Sequence, residues 1–379
     1  MNNKTIALLL ILALLLVGCD KAKDITSKNP SIEGSEGIQF EFYRNTPAKE
    51  VFELQSLPLA LHLSNVGACD LHIIDDDTNP NRCTVEGKVL LSLAWDNRRI
   101  TIPWNDKAEE LRQNAGDDDL ADGIRYLAKK GDKTDTPGKP AFALYLYGRD
   151  TIPGPSGSSS VTEGEERLFI LEAQAWGINL LNTEKDFIKT QITAGLCYPY
   201  KTQLSTNVCI DSDLFNLQDK EKTCEVILEQ DLKTQGAPVA ITHMKTDMLP
   251  SNVHSTIPRF EFTIQNVGKG KVLAKEARHK ACAFEPLDPQ KDLNKITFSA
   301  SLPGQKLDLF CNITDKKKKE IVVELDKDTK QATVICETLP IHQSKGSFDT
   351  PLLVELEYDY FDEQTEEIKI NRVRRLARS

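Results

Sequence analysis

Two stretches of the sequence decide the fold class: LALHLSNVG at residues 59–67 and FEFTIQNVG at residues 260–268. They align without a gap at an offset of 201 residues, and apolar residues recur at every second position in both. An alternation of period two turns one set of side chains to a core and the other to water, as in an antiparallel strand. In the shared ending, Asn bonds to local backbone and Gly accepts the positive φ of a turn. Each half of the chain is therefore predicted to contain the same strand and turn.

Short apolar or alternating runs continue this pattern along the chain and predict further strands. These are residues 38–43, 88–94, 99–104, 141–147, 167–176, 188–196, 239–244, 296–302, 306–310, 320–325 and 332–336, with a terminal hairpin of 354–360 and 367–373. Many short strands joined by turns favour a mainly β fold of two tandem immunoglobulin-like antiparallel β-sandwiches.

Two segments interrupt the strand pattern. Residues 105–131 have Leu120, Ile124 and Leu127 at helical spacing, which predicts a short helical insertion in the first sandwich. Residues 151–166, rich in Gly, Pro and Ser, are predicted to form a flexible loop.

A strand followed by Asn-Val-Gly resembles the immunoglobulin-like sandwich modules of the CARDB type in prokaryotic surface proteins. The resemblance implies an architecture and leaves the function open, because such sandwiches carry many functions. We place the first sandwich domain at residues 38–217 and the second at 239–375. The linker between them is assigned to residues 218–238, where the strand pattern breaks.

The N-terminal segment has an unbroken apolar run at residues 6–17, preceded by Lys4. A helix of that length rises about 18 Å, which is shorter than the bilayer core of about 30 Å but fits a secretory signal. The run ends in Leu16-Val17-Gly18-Cys19, which resembles the lipobox of prokaryotic lipoprotein precursors. The resemblance implies a signal peptide at 1–18, diacylglycerol on the Cys19 sulfur, and a lipidated N-terminus and linker at 19–37. It also implies an extracytoplasmic protein held on the outer face of the cell membrane by this lipid.

The chain carries nine cysteines, and eight remain if Cys19 is lipidated. Outside the cytoplasm an even set of cysteines predicts disulfides. Spacing favours four pairs, although many connectivities are open. The favoured pairs are Cys69–Cys83, Cys197–Cys209, Cys224–Cys282 and Cys311–Cys336.

The segment between the first two of these cysteines offers oxygen ligands at alternate positions, as calcium loops do. The candidate ligands are Asp75, Asp77, Asn79 and Asn81, with Glu86 at the twelfth position. Pro80 occupies the position where such loops need Gly. We keep weak Ca²⁺ binding as a hypothesis, with a solvated acidic turn as the alternative. No other cofactor is expected.

Other site motifs are incomplete. Cys69-x-x-His72 and His279-x-x-Cys282 each supply half of a zinc site. Ser156 lacks the flanking residues of a nucleophile elbow, and the sequence contains no phosphate-binding Gly loop or dinucleotide fingerprint. We therefore expect that the protein is not an enzyme.

Three further features concern the surface. Asn312 begins a glycosylation sequon, and basic residues cluster at 316–319 and 372–378. The net charge of −10 argues against a nucleic-acid partner.

The favoured function is a membrane-anchored module for binding, adhesion or envelope assembly. Its partner would be an envelope protein or a glycan, held by the loops or edges of the β-sandwiches. The alternatives are an extracytoplasmic small-ligand or metal-ion binding protein and, third, a surface hydrolase.

Overall fold

The computed structural model describes residues 32–72, 83–102, 141–144, 146–149, 151–153, 159–176, 186–215, 221–252, 254–303, 307–311 and 320–373. The signal peptide, Cys19, the predicted insertion at 105–131 and Asn312 lie outside these residues. So do four of the five calcium candidates, which are Asp75, Asp77, Asn79 and Asn81.

Strands dominate the described part of the chain. Those of the first half are Ile38–Phe42 (β1), Glu50–Phe52 (β2), Ser56–Asn65 (β3), Asp70–His72 (β4), Thr84–Glu86 (β5), Val89–Trp95 (β6), Ile100–Thr101 (β7), Ala141–Leu144 (β8), Thr151–Pro153 (β9), Ser159–Val161 (β10), Glu166–Ala175 (β11) and Phe187–Asp211 (β12). Those of the second half are Glu229–Asp231 (β13), Val239–Asn252 (β14), Ser255–Asn266 (β15), Lys271–Leu273 (β16), Lys295–Leu302 (β17), Leu307–Cys311 (β18), Glu320–Glu324 (β19), Gln331–Thr338 (β20), Ile341–His342 (β21) and Ser347–Asn371 (β22). A short helix, Arg278–Cys282 (α1), and a 3₁₀ turn, Gln343–Lys345, complete the described elements.

The strands form mainly antiparallel sheets that pack on a shared core, with parallel pairing only of β2 with β22 and β4 with β5 among the described strands. One sheet has the order β1-β3-β11-β7, and a larger one has the order β13-β14-β15-β20-β18-β17-β22-β12-β6-β8. The inner face of β3 contributes Leu57, Leu59, Leu61 and Leu63, which belong to the same buried cluster as most apolar residues of β6 and β12. This confirms the predicted mainly β, antiparallel class and is consistent with a β-sandwich.

The two halves of the chain repeat one strand arrangement. In the first half β1 pairs with β3, with Ile38 opposite Asn65. In the second half β14 pairs with β15, with Val239 opposite Asn266, so both strands are shifted by the same 201 residues. β11 and β20 flank β3 and β15 in the same way, and β6 and β17 flank β12 and β22. The repeat found in the sequence therefore extends to five strands of each half.

β12 and β22 join the two halves in one antiparallel ribbon of 25 residue pairs. Pro199 lies opposite Asp359 at its centre, and an approximate two-fold axis passes there, because the two strands are equivalent and run in opposite directions. Residues 192–197 of β12 pair with β6 on one side of this centre, and residues 353–357 of β22 pair with β17 on the other side. The ribbon thus belongs to both halves, and the domain limits at 217 and 239 stay predictions.

Three sequence predictions are wrong in detail. The terminal hairpin is one continuous strand, because residues 362–366 pair with β12 instead of turning. The strand predicted at 188–196 runs on to Asp211, since β22 supplies a partner along its full length. The predicted loop at 151–166 contains the paired strands β9 and β10.

Four disulfides link the eight remaining cysteines. Cys69–Cys83 and Cys311–Cys336 are confirmed, whereas the other two predicted pairs are wrong: the structure joins Cys197 to Cys282 and Cys209 to Cys224. Cys197 and Cys209 lie on the same extended strand, where a rise of about 3.3 Å per residue keeps them far apart. The disulfides indicate an oxidising, extracytoplasmic environment.

No helix in the described part of the chain is long and apolar enough to cross a membrane.

The Asn-Val-Gly turn has the same hydrogen bonds in both halves. Asn65 Oδ1 accepts from the Gly67 N–H at 3.1 Å, and its Nδ2 donates to the Cys69 carbonyl at 3.0 Å. Asn266 makes the matching bonds to the backbone two and four residues later. Gly67 is required for a different reason from the predicted one, since its φ is not positive. A Cβ there would overlap the buried Tyr200 hydroxyl, so glycine is needed for close approach.

Candidate functional site

The outer face of the sheet β1-β3-β11-β7 carries exposed apolar side chains. Tyr43, Leu168 and Ile170 are 48%, 50% and 57% exposed. Ile170 lies opposite Ala60, and the Tyr43 N–H donates to the Ala60 carbonyl, so both flank Ala60 on neighbouring strands. We call Tyr43, Leu168, Ile170 and the exposed Pro58 the apolar stripe.

Carboxylates border this stripe. Glu41 and Glu172 lie on the same face, and Glu166 Oε2 lies 3.3 Å from Nε2 of His62 at the centre of the sheet. Among the described residues at outward positions of β1, β3 and β11, none is Lys or Arg. The face therefore combines apolar contact area with an excess of acidic side chains over Lys and Arg at the outward positions.

A cleft of about 510 Å³ opens at one end of this face. Its lining includes all of Ile38, Gln39, Phe40 and Glu41 from β1, with residues of the second half on the opposite side. We call it the acidic cleft, because five carboxyl side chains line it against two permanent cations. The carboxyl groups are those of Glu36, Glu41, Glu163, Glu166 and Asp362, and the cations are Arg149 and Lys269.

The electrostatics of the cleft follow from this excess of carboxylates. Lys269 Nζ lies 3.0 Å from Glu36, whose carboxylate raises the pKa of the ammonium. Burial raises the pKa of the Asp362 carboxyl, and the neighbouring Glu36 charge adds to the rise. A cation entering the cleft would relieve this repulsion between like charges.

The equivalent face of the second half is an ordinary solvated surface. Ile335, which is half-buried, holds the place of Ile170, but Thr333 replaces Leu168. Lys245 lies opposite Glu261 where the first half has Tyr43 opposite Ala60. Charges of both signs are mixed there, and Arg259 Nε donates to Glu337 at 2.7 Å. The apolar stripe is therefore specific to the first half and does not follow from the shared architecture.

A second cleft of about 510 Å³ lies beside the centre of the ribbon and contains a buried ion pair. Arg278 Nη1 lies 2.8 Å from Asp359 Oδ1, and the Asp359 side chain is only 1% exposed. Burial raises the pKa of Asp359, while Arg278 acts in the opposite direction. Lys201 and Lys275 both pair with Glu357. Four carboxyl side chains and three cationic ones line this cleft, so its charges are nearly balanced.

The described residues do not assemble either of the metal sites considered from the sequence. Glu86 is exposed at the end of β5, and the other calcium candidates lie outside the described part. The zinc alternative is excluded at Cys69 and Cys282, because both form disulfides. One described cluster has metal-ligand proximity, but Cys209 and Cys224 in it are bonded to each other, which leaves Asp349 alone.

Sequence reasoning missed the apolar stripe, although one signal was present. Residues 168–171 are four consecutive apolar residues in a predicted strand, which breaks the alternation that a half-solvated strand needs. Leu168 and Ile170 consequently fall on the face turned to water. No known protein-family model matches the chain, and no curated protein matches it in sequence.

Proposed function

We propose that the protein is an extracytoplasmic, membrane-anchored binding module that holds a protein partner on the outer face of β1-β3-β11-β7. The observation that carries this proposal is the apolar stripe, which the equivalent face of the second half lacks. Exposed apolar residues rimmed by polar ones are typical of protein interaction sites. An aromatic residue such as Tyr43 is a common anchor at the centre of such sites.

The anchoring part of the proposal rests on the lipobox-like sequence that ends at Cys19. The four disulfides support the extracytoplasmic side of the same proposal. Two acyl chains hold a protein firmly on a membrane surface, whereas one gives only marginal binding. The lipid would therefore keep the binding face close to other envelope components.

Intact-mass measurement of the protein from a bacterial expression host tests the anchor. We expect a chain that begins at Cys19 and carries diacylglycerol, recovered in the membrane fraction. The Cys19→Ala variant is expected to lack the lipid mass. A wild-type chain that is cleaved elsewhere, or cleaved at Cys19 without added lipid, would contradict the anchor.

Capture of envelope proteins by cross-linking to purified residues 20–379 tests the binding face. We expect a partner that the wild type captures and that a Leu168→Glu and Ile170→Glu double variant loses, since two buried carboxylates would disfavour the interface. The matched control is Thr263→Glu with Thr333→Glu on the equivalent face of the second half. Both variants are first checked for an unchanged thermal transition. Equal capture by the stripe variant and the wild type would exclude this face as the binding site.

A further inference from the structure

The edge of β1 that faces away from β3 provides a second element of recognition beside the apolar stripe. β1 ends the sheet and pairs with β3 alone among the described strands. Natural edge strands are usually blunted by Lys, Pro or a bulge. The β1 sequence IQFEF contains neither Lys nor Pro, and its register with β3 is regular. Such an edge is a template for another strand.

The backbone of β1 offers hydrogen-bonding groups along this edge. The Tyr43 N–H donates to β3, and bonding directions alternate along an antiparallel strand. The N–H and C=O groups of Phe40 and Phe42 are therefore directed away from β3. The Ile38 N–H follows the same rule, since it donates to the Tyr198 hydroxyl at 3.3 Å instead of to β3.

The acidic cleft runs along the same edge. A cleft that lay only over the face of the sheet would contact alternate residues of β1, because successive side chains point to opposite faces. The four consecutive residues 38–41 all line it. Lys269, Asp362 and Gln364 of the second half also belong to its lining. The space therefore extends beside the strand as well as above it.

From these observations we propose that an extended, lysine- or arginine-containing polypeptide segment adds as a strand to the edge of β1. This inference rests on the proposed function, because it assigns the chemistry of the protein partner. Main-chain bonds to Phe40 and Phe42 would supply affinity, and alternate side chains would supply specificity. Cationic side chains on the outward face would lie beside Glu41 of β1, where opposite charges on neighbouring strands attract. Apolar side chains on the inward face would extend the core beside Phe40 and Phe42.

A seven-residue peptide of alternating Lys and Val, labelled at one end, is the probe for this proposal. We expect fluorescence anisotropy to show binding to purified residues 20–379 that weakens with added salt. The matching peptide of alternating Glu and Val should not bind. Two further Lys-Val peptides carry methyl groups on alternate backbone nitrogens, one peptide on each of the two alternate sets. Both keep the charge of the parent peptide. We expect methylation of one set to abolish binding, since only one set of N–H groups faces β1.

Protein variants separate this site from general attraction to an acidic protein. Glu41→Lys is expected to weaken binding of the Lys-Val peptide by about ten-fold or more, with Glu41→Gln between it and the wild type. Glu261→Lys makes the same charge change in the second half, on β15, the strand equivalent to β3. It is expected to leave the affinity within about two-fold of the wild type, as distant exposed charges are screened.

Three results would overturn the strand-addition proposal: no binding of the Lys-Val peptide, equal binding of both methylated peptides, or equal effects of Glu41→Lys and Glu261→Lys. The cross-linking experiment with Leu168→Glu and Ile170→Glu remains independent of all three. If the captured partner still depends on the stripe while the peptide fails, the binding face stands and the strand-addition proposal falls.

Discussion

Deletion of β22, by ending the chain after Gly346, is expected to unfold both halves of the protein. β12 would lose its partner along all 25 residue pairs. β22 also contributes Leu356, Tyr358 and Tyr360 to the shared core, and all three are nearly inaccessible to solvent. Domains are stable by only about 5–15 kcal/mol, so the loss of a central strand exceeds what either half can sustain.

Circular dichroism during heating measures this effect. We expect the truncated chain to lack a cooperative transition. The control ends after Val373, which keeps β22 complete, and it should melt like the full chain. A purified fragment of the first half alone that stays monomeric and melts sharply would contradict the shared-ribbon account.

Replacement of Arg278 by Met is expected to be the most destabilising single substitution in the described clefts. It leaves the Asp359 carboxylate, which is 1% exposed, without the guanidinium that lies 2.8 Å away. Breaking a buried ion pair by removing one partner typically costs about 3–5 kcal/mol. We expect a loss of this size in the free energy of unfolding by urea at about pH 7, where Asp is normally charged.

The same variant is expected to show a characteristic dependence on pH. Burial already raises the pKa of Asp359 above its usual value of 3.8, and removal of Arg278 takes away an influence that lowers it. A carboxyl with a raised pKa holds its proton more tightly in the folded state. Its contribution to stability is therefore largest below the ordinary pKa and falls as the pH rises through the raised one.

Arg278→Met should thus lose less stability at acidic pH than at neutral pH, relative to the wild type. The double variant Arg278→Met with Asp359→Asn should recover part of the loss at neutral pH, because no buried charge remains. A loss that is independent of pH, or no recovery in the double variant, would show that the pair contributes through packing alone.

Parts of the fold were accessible from the sequence because they depend on local periodicity. The alternation in residues 260–266 predicts which side chains of β15 face the core, and Phe260, Phe262 and Ile264 are fully buried. Closeness along the chain predicted the disulfide of Cys69 with Cys83 correctly, but the same rule failed for Cys197 and Cys209, which share one extended strand. The pairing of Cys197 with Cys282 was not predictable, because the contact between β12 and α1 brings together residues 85 positions apart.

The candidate site also has one part that the sequence signals and another that only the tertiary structure brings together. The run at 168–171 already signals an irregular strand, but only the pairing of β11 with β3 places Leu168 and Ile170 on a solvent-facing surface near Tyr43. The acidic cleft had no sequence signal, because its carboxylates come from segments as distant as Glu36 and Asp362.

By itself the sequence determined most of the longer strands, the turn shared by the two halves, and the lipobox-like ending at Cys19, all of which depend on neighbours along the chain. Tertiary structure alone decided that β12 and β22 are partners and that one strand replaces the predicted terminal hairpin. The reason is that backbone hydrogen bonds are the same for every residue type except proline, so an alternating pattern specifies the face of a strand and not its neighbour. The burial of the four ribbon tyrosines, Tyr198, Tyr200, Tyr358 and Tyr360, accompanies that choice of partner.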